Sequence, residues 1–314
     1  MKLVEPQVEL WKQEPTLEGA WHQIARATRV CYQSKPREGE NDEAFVNRVI
    51  IKPATRENGS IDFNKCHGAM LEHGTIYLTI PKTAFVAHTL YYVYNKYSKV
   101  SLGALVGDDS NDYVTTNIRV ILENNLQNDL RYISAPTYHA RRTTFSVITD
   151  IGVTRELNRH RVNSIAEQST RYCTYSADKF GNEITYTNNE LLNIYMSNLK
   201  FHGIKANFEY LHTLCKDIAY NNESDIAHKW ADEHYYIFGL LAAEFAYLGL
   251  KKNKIPNDIA RQVLNLNTRS QAVYTAFDDD WQHFIKLRAD NISGKVHPNM
   301  KIIADKIKEL FNNK

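Results

Sequence analysis

The sequence has few cysteines, and no two of them have the spacing of a zinc site or a redox dithiol. The four are Cys31, Cys66, Cys173 and Cys215. A scattered set of this kind predicts reduced thiols, as in a cytosolic protein. No run approaches the roughly 20 apolar residues of a membrane span, and the N-terminus lacks the apolar core of a signal peptide. We therefore expect a cytoplasmic protein that does not bind a membrane.

An excess of charge of one sign is absent as well. The chain has 38 basic and 36 acidic residues among 314, which gives a formal net charge of +2. These totals provide no long-range field for nucleic acid or an anionic membrane. Neither a Gly-x-Gly-x-x-Gly turn nor a Walker loop is present. Any site for an anionic ligand must therefore come from local clusters of side chains.

The spacing of apolar residues predicts an α+β fold with a central, mostly antiparallel sheet flanked by helices and a largely helical C-terminal third. We expect one domain over residues 1–314. The expected strands cover 74–80 and 143–149, and Asp150 is expected to cap a short helix that ends near Asn158. Further helices are predicted at 17–31, 82–98, from 117 to 123, 225–248 with a stop before Gly249, 257–264, 278–287 and 299–311.

The last of these helices carries an apolar stripe, which predicts a helix docked on the protein surface. The stripe comprises Ile302, Ile303, Ile307, Leu310 and Phe311.

The segment 159–172 contains the densest group of polar and cationic side chains. Arg159 and Arg161 alternate around His160, so in an extended turn they would point to opposite sides. If the chain stays extended, Glu167, Ser169 and Arg171 share one face. Guanidinium groups bind phosphate through paired hydrogen bonds, so this segment could hold a phosphorylated small molecule. The alternative is a solvated loop whose surface ion pairs contribute little.

Arg-His-Arg followed by seven residues and a serine resembles the signature of the flavin-dependent thymidylate synthases. The resemblance implies reductive methylation of deoxyuridylate (dUMP) to thymidylate. It implies FAD as cofactor, NADPH and 5,10-methylenetetrahydrofolate as co-substrates, and a homotetramer whose active sites are shared between subunits. No metal is implied. Residues 82–130 look like a helical insertion, and the resemblance covers roughly two-thirds of the chain.

The resemblance also implies roles for individual residues. Arg288 would be catalytic, because the matching arginine favours the ionised pyrimidine ring. Binding of dUMP would involve Glu156, Arg159, Glu167, Gln168, Ser169, Thr170, Arg171, Arg261 and Arg288. Contacts with FAD would involve His67, Ala69, Arg159, His160, Arg161, Glu167 and His283.

Four positions depart from the family pattern. A hydroxyl residue is usual where Ala69 stands, and serine is common at the position of Cys31. Some members have Asn and Arg near the flavin at the positions of Phe277 and Asp279. These departures affect details of the flavin contacts rather than the implied reaction.

Several alternatives stay open on the sequence alone. Cys173 could be the nucleophile of a cysteine-dependent thymidylate synthase, and Arg288 could form a structural salt bridge with Asp290 or Glu244. His160 could be a general base, although two neighbouring cations should disfavour its protonated form. A nucleic-acid-binding module is the alternative from another class, with the arginines on phosphates and tyrosines stacked on bases.

Overall fold

The computed structural model describes residues 1–83, 86–176, 183–201, 232–292 and 294–314. Cys215, and the part of the predicted 225–248 helix before Asp232, lie outside the described residues. The chain divides into two compact units. The smaller unit comprises Met1–Gln7, Ile148–Arg155 and Ser169–Ser270, and the larger unit comprises Val8–Val147, Glu156–Gln168 and Gln271–Lys314. A single domain over the whole chain stays a prediction.

The described part of the chain contains both strands and helices. The strands are β1 (Lys2–Val4), β2 (Gln7–Trp11), β3 (Thr75–Pro81), β4 (Lys99–Ser101), β5 (Asn111–Asn117), β6 (Arg142–Asp150), β7 (Ser164–Glu167), β8 (Thr185–Thr187) and β9 (Arg269–Phe277). The α-helices are α1 (Leu17–Tyr32), α2 (Asp42–Val46), α3 (Val86–Val93), α4 (Ile118–Glu123), α5 (Ile151–Leu157), α6 (Glu190–Phe201), α7 (Asp232–Lys252), α8 (Asn257–Ala260), α9 (Asp278–Arg288) and α10 (Pro298–Asn312).

Most strand pairs are antiparallel. One sheet has the strand order β2-β6-β9-β7, with β7 antiparallel to β9, and a second has the order β3-β5-β4 with antiparallel pairs throughout. The third, formed by β1 and β8, is a parallel pair. The predicted α+β class with antiparallel sheets flanked by helices is confirmed.

The core of the larger unit forms where α1 packs against the start of β3. Thr16 caps the helix by accepting a hydrogen bond from Gly19 N at 3.0 Å, and Ile24 is fully buried. A methyl group on Gly74 would lie 2.6 Å from Ile24 Cδ1 and 3.0 Å from Ala20 O. The absence of a side chain at Gly74 therefore permits this close approach.

The segment 82–130 is mixed rather than helical. The helices α3 and α4 confirm part of the prediction, but β4 and β5 also lie in this segment. The β-branched and aromatic run Tyr113–Thr116 forms most of β5, the central strand of its sheet. The prediction missed this strand signal.

In the smaller unit, α7 packs its apolar residues around β8. Tyr186 is fully buried and donates a hydrogen bond to Leu240 O at 2.6 Å. The predicted stop before Gly249 was wrong, because α7 continues to Lys252. The turn after the helix is formed instead by Lys254, which has φ of 61°, while Ile255 N donates to Leu250 O at 3.0 Å.

The C-terminal helix α10 packs its predicted apolar stripe in part only. Ile303 and Ile307 are fully buried and Phe311 is nearly so. Ile302 was assigned to the stripe wrongly, because 42% of its surface is exposed. None of the described helices combines the length and apolar content needed to cross a bilayer.

Candidate active site

The signature follows α5, whose N-terminus is capped as predicted. Asp150 Oδ1 accepts a hydrogen bond from Val153 N at 2.8 Å. Beyond the helix the chain turns tightly, with His160 N donating to Leu157 O at 3.0 Å and Asn163 N donating to His160 O at 3.1 Å. The expectation of extended backbone around His160 was therefore wrong.

Both arginines of the signature, Arg159 and Arg161, are exposed. Two cations presented by one tight turn suit an anionic group that approaches from solvent. The turn that carries them belongs to the larger unit.

Arg288 lies beside two residues of the signature region in the larger unit. It occupies the last turn of α9, a helix anchored by the buried Trp281 and Phe284. Arg288 Nε donates to His160 Nε2 at 3.4 Å, and Arg288 Nη1 lies 3.5 Å from Glu156 Oε2. Arg288 is thus brought beside two predicted site residues that lie far from it in the sequence. The contacts with Asp290 and Glu244 suggested by the sequence are replaced by this pair.

Asp290 and Glu244 have other partners. Asp290 pairs with Lys308 at 2.7 Å. Glu244 is nearly fully buried, lies 3.1 Å from the N-terminal amino group and accepts a hydrogen bond from Ile184 N at 3.1 Å. The structural salt bridge expected as an alternative for Arg288 therefore involves a different carboxylate.

His160 is held in its neutral form. Burial is the main cause that lowers the pKa of its imidazole to about 4, and the charges of Arg288 and His283 lower it further. The sequence analysis predicted that the protonated form would be disfavoured, but it attributed this to Arg159 and Arg161, whereas burial, Arg288 and His283 are the causes. Because Arg288 Nε can only donate, His160 Nε2 must accept, and the ring proton of the neutral form lies on Nδ1. The ring also meets Phe284 edge to face, with centroids 4.9 Å apart.

Glu167 ends β7, where it pairs in register with Ala272 of β9. Its Oε2 accepts a hydrogen bond from Asn158 Nδ2 at 3.1 Å. The next residue, Gln168, is buried, and its backbone N donates to Gln271 O at 2.8 Å. The end of β7 is therefore fixed through both backbone and side chain.

Ser169 begins a turn in the smaller unit. Cys173 N donates to Ser169 O at 2.9 Å, and Ser169 Oγ accepts from Arg171 N and Tyr172 N, each at 3.3 Å. The expectation that Glu167, Ser169 and Arg171 form one extended face was wrong, because the hydroxyl stabilises a turn. Thr170 lies in the same turn and is partly exposed.

The serine turn is joined to the short helix α8 within the smaller unit. Arg171 Nε lies 3.3 Å from Asp258 Oδ1, and Asn257 Nδ2 donates to Arg171 O at 3.0 Å. The exposed Arg261 begins the 3-10 helix that follows α8. Both side chains of the Arg171–Asp258 pair are more than half exposed, so the pair contributes little stability. Arg171 can therefore exchange Asp258 for another anion.

His67 and Ala69, predicted to contact the flavin, are exposed on the surface of the larger unit. The His67 ring meets the edge of Tyr32 with centroids 5.7 Å apart. The second histidine of this segment, His73, is fully buried and shares a hydrogen bond with Thr275 Oγ1 at 2.8 Å. Burial lowers its pKa to about 3, so His73 is a neutral structural residue.

Phe277 and Asp279, two of the residues that depart from the family pattern, contact the segment 82–130. Asp279 accepts hydrogen bonds from Lys99 of β4, at 2.6 Å to Oδ1 and 2.5 Å to Oδ2. The same ammonium lies 4.4 Å from the centroid of the Phe277 ring. Phe277 and Asp279 therefore bind a lysine of the chain itself. His283, one turn further along α9, is exposed.

The cysteines in the described part of the chain, namely Cys31, Cys66 and Cys173, form no disulfide with one another. Cys173 is buried, with 6% of its surface exposed. Burial raises the pKa of the Cys66 thiol. Among the described residues, no group of three His, Cys, Asp or Glu side chains is placed to hold a metal ion.

The larger unit contains a cavity of about 590 Å³. Arg142 forms part of its wall, but the guanidinium is directed to Glu72 O at 2.9 Å and Ser164 Oγ at 3.1 Å. Lys314 is paired with Thr143 Oγ1 at 2.7 Å. None of the residues predicted to bind dUMP or FAD lines this cavity.

A sequence model of the family described as thymidylate synthase complementing protein matches residues 113–314. The chain belongs to this family. The match contains the signature, Arg261, His283 and Arg288. It begins after His67 and Ala69, which therefore lie outside it. The resemblance to the flavin-dependent thymidylate synthases is confirmed, and the protein is a methyltransferase of the thymidylate synthase type.

Two solved structures similar to this chain are of the UMP/dUMP methylase PolB from Streptomyces cacaoi. The form bound with 5-Br dUMP is 15% identical with a TM-score of 0.42, and the match covers 100% of this chain and 93% of that one. The form bound with 5-Br UMP is 14% identical with a TM-score of 0.41, covering 100% and 92%. No curated protein matches the chain in sequence.

Two residues at the site were missed by sequence reasoning. Asn158 contacts Glu167, and Tyr274 contacts Asn158. Asn158 directly precedes the signature, which is a signal that could have singled it out. Tyr274 had no such signal, because its position depends on the register of β7 against β9.

Proposed function

We propose that the protein methylates dUMP to thymidylate with FAD as the hydride carrier and 5,10-methylenetetrahydrofolate and NADPH as co-substrates. Family membership and the position of Arg288 support this proposal. When bound, the flavin supplies the hydride that completes the new methyl group. The partners are expected to be these small molecules, rather than nucleic acid or a membrane, in the cytoplasm.

Arg288 is proposed as the catalytic residue. His160 and Glu156 engage Nε and Nη1, while Nη2 of Arg288 has no hydrogen-bond partner within the described ranges. The guanidinium is thus held in one orientation before substrate arrives. A fixed cation at the uracil ring stabilises the negative charge that develops there, which makes carbon 5 a better nucleophile. The neutral imidazole is suited to this position, because a protonated His160 would repel Arg288.

The dUMP phosphate is proposed to bind the cationic residues that follow β7, with help from neighbouring polar groups. Arg171 would exchange its exposed pairing with Asp258 for the phosphate. Arg261 is exposed, and its guanidinium group is also proposed to bind the phosphate. The other proposed contacts with dUMP are Glu156, Arg159, Glu167, Gln168, Ser169, Thr170 and Arg288.

The residues proposed for FAD fit an anionic dinucleotide. Arg159 and Arg161 are exposed cations on one turn, which suits the two phosphates. His160 is neutral and could lie against an uncharged ring. His67, Ala69, Glu167 and His283 are the other proposed contacts, and Ala69 can offer only its backbone and methyl group. We propose a homotetramer in which neighbouring subunits complete each site.

We propose that no cysteine acts as nucleophile. Cys173 is the thiol nearest the signature in sequence, and its burial argues against attack on a bound uracil ring. A thiolate must reach its substrate to react, and the buried setting of this side chain does not favour that.

A visible spectrum of the purified protein tests the cofactor proposal, because bound flavin absorbs at about 450 nm by its own chemistry. The decisive assay follows dUMP-dependent oxidation of the reduced flavin. Arg288→Ala should lower the rate of this oxidation at least about a hundredfold while FAD stays bound. Arg56→Ala is the matched control, since Arg56 is 57% exposed and its ion pair in the described part of the chain is with Asp62 at 3.3 Å. A colourless protein, or normal oxidation in Arg288→Ala, would contradict the proposal.

A further inference from the structure

Asn158 links the turn of the signature to the end of β7. Its Nδ2 donates to Glu167 Oε2 at 3.1 Å, and its Oδ1 accepts from Tyr274 Oη at 3.0 Å. All three residues belong to the larger unit. The carboxamide therefore lies between a carboxylate that carries a proposed role and a phenol that carries none.

The two contacts fix the orientation of the amide. A carboxylate only accepts hydrogen bonds, so the NH₂ group of Asn158 must face Glu167. The amide oxygen then faces Tyr274, whose hydroxyl must donate. Tyr274 is fully buried on β9, and burial together with the charge of Glu167 raises the pKa of its phenol well above the usual value. The phenol therefore keeps the proton that it donates.

The register of the sheet places Tyr274 where it can do this. Tyr274 of β9 is the partner of Ile165 in β7, and Ala272 is the partner of Glu167. Because alternate residues of a strand share a face, a side chain two residues from the partner of Glu167 can reach the Asn158 amide beside it. A shift of one residue between these strands would direct Tyr274 to the other face and break the link.

We propose that Asn158 and Tyr274 are positioning residues that hold the Glu167 carboxylate in a single orientation toward its ligand. This inference rests on the proposed function, in which Glu167 contacts dUMP and FAD. A carboxylate fixed before binding presents its acceptor oxygens to ring N–H and hydroxyl donors without a loss of side-chain freedom at that moment. Without the phenol the amide oxygen loses its donor, and the Asn158 side chain is then oriented by the Glu167 contact alone.

Tyr274→Phe tests the link by removing one hydroxyl. We expect about a tenfold fall in kcat/KM for dUMP, together with a shift in the absorption band of the bound flavin. Tyr92→Phe is the matched control. Tyr92 is also fully buried in the larger unit, and its hydroxyl donates to Asp129 Oδ2 at 2.7 Å. Both variants lose a buried hydrogen bond, but only Tyr274→Phe should change the kinetics and the spectrum.

Asn158→Asp provides a second test that does not depend on the fold tolerating Tyr274→Phe. The new carboxylate would lie against Glu167, and like charges raise the apparent pKa of such a pair. The acid limb of the pH profile of kcat/KM should therefore move to higher pH by about one unit. A role limited to packing would leave this limb in place.

The outcomes separate the inference from the proposed function on which it rests. If Glu167→Gln impairs turnover but Tyr274→Phe behaves like Tyr92→Phe and Asn158→Asp keeps the acid limb, the positioning role is refuted while the function stands. If Glu167→Gln has wild-type kinetics and flavin binding, the role of Glu167 fails and the inference fails with it. Loss of activity in Glu167→Gln, with the two expected effects, supports both.

Discussion

The contact between His160 and Arg288 predicts a dependence of stability on pH. Folding lowers the pKa of His160 from the usual 6.5 to about 4, because the ring is partly buried and faces the Arg288 cation. Between these values the unfolded chain binds a proton that the folded protein does not. Stability from this group is therefore fully present above pH 6.5 and is lost as the pH falls toward 4.

The size of the effect follows from the same two values. Each pKa unit corresponds to about 1.4 kcal/mol, so the full difference would give roughly 3 kcal/mol. The ring is only about half buried and solvent screens the charges, which reduces the expected contribution to about 1 to 2 kcal/mol. His160→Gln removes the titration but keeps a side-chain oxygen that can accept from Arg288. The variant should consequently lose less stability than the wild type on acidification.

Urea unfolding followed by tryptophan fluorescence measures this difference at pH 7.0 and pH 4.5. Three of the four tryptophans, Trp11, Trp21 and Trp281, belong to the larger unit, so the signal reports mainly on the unit that contains His160. Other acid-sensitive groups, such as the buried His73, are common to both proteins and cancel in the comparison.

The control is His297→Gln, the same replacement at an exposed histidine. Its unfolding curve should follow the wild type at both pH values. Parallel losses of stability in His160→Gln and the wild type would refute the assignment of a neutral, acceptor imidazole beside Arg288.

Three further predictions concern other parts of the structure. Replacing Arg159 and Arg161 together with alanine should give protein that purifies without flavin, and a fully yellow double variant would place the flavin phosphates elsewhere. Cys173→Ala should retain most of the dUMP methylation rate at normal flavin content, whereas complete loss in a folded variant would favour a thiol mechanism. Gly74→Ala should lower the free energy of unfolding by about 1 to 3 kcal/mol because the new methyl group meets Ile24 Cδ1 at 2.6 Å, and Ile24→Val should restore part of the loss.

Local patterns in the sequence predicted much of the fold. The apolar spacing of residues 17–31 predicted α1, and the carboxylate of Asp150 predicted the helix that leads into the signature. These features involve neighbours within one turn of helix, where spacing alone determines which groups meet. The end of α7 is an exception, because Lys254 adopts the left-handed conformation that glycine usually supplies.

The site was predicted residue by residue but not as a set of contacts. The family resemblance implied roles for His160, Glu156 and Arg288, yet the contacts among them depend on how α9 packs after β9. The Ser169 hydroxyl was assigned to an extended face, although a hydroxyl that bonds nearby backbone N–H groups favours a turn. The contact between Tyr274 and Asn158 depends on the register of β9 against β7, and periodicity in the sequence does not specify that register.

The lysine of β4 that meets α9 has a consequence for shortening the protein. Lys99 is supplied by the segment between β3 and β5, whereas its acceptor Asp279 and the aromatic ring of Phe277 belong to the C-terminal part of the chain. A deletion of residues 82–110 would remove the cation from beside that ring and leave Asp279 without its lysine partner, while Asp278 would keep its pair with Lys314. A shortened enzyme would therefore need other side chains at positions 277 and 279. The segment 82–110 thus contributes, through Lys99, to the surroundings of the helix that ends in Arg288.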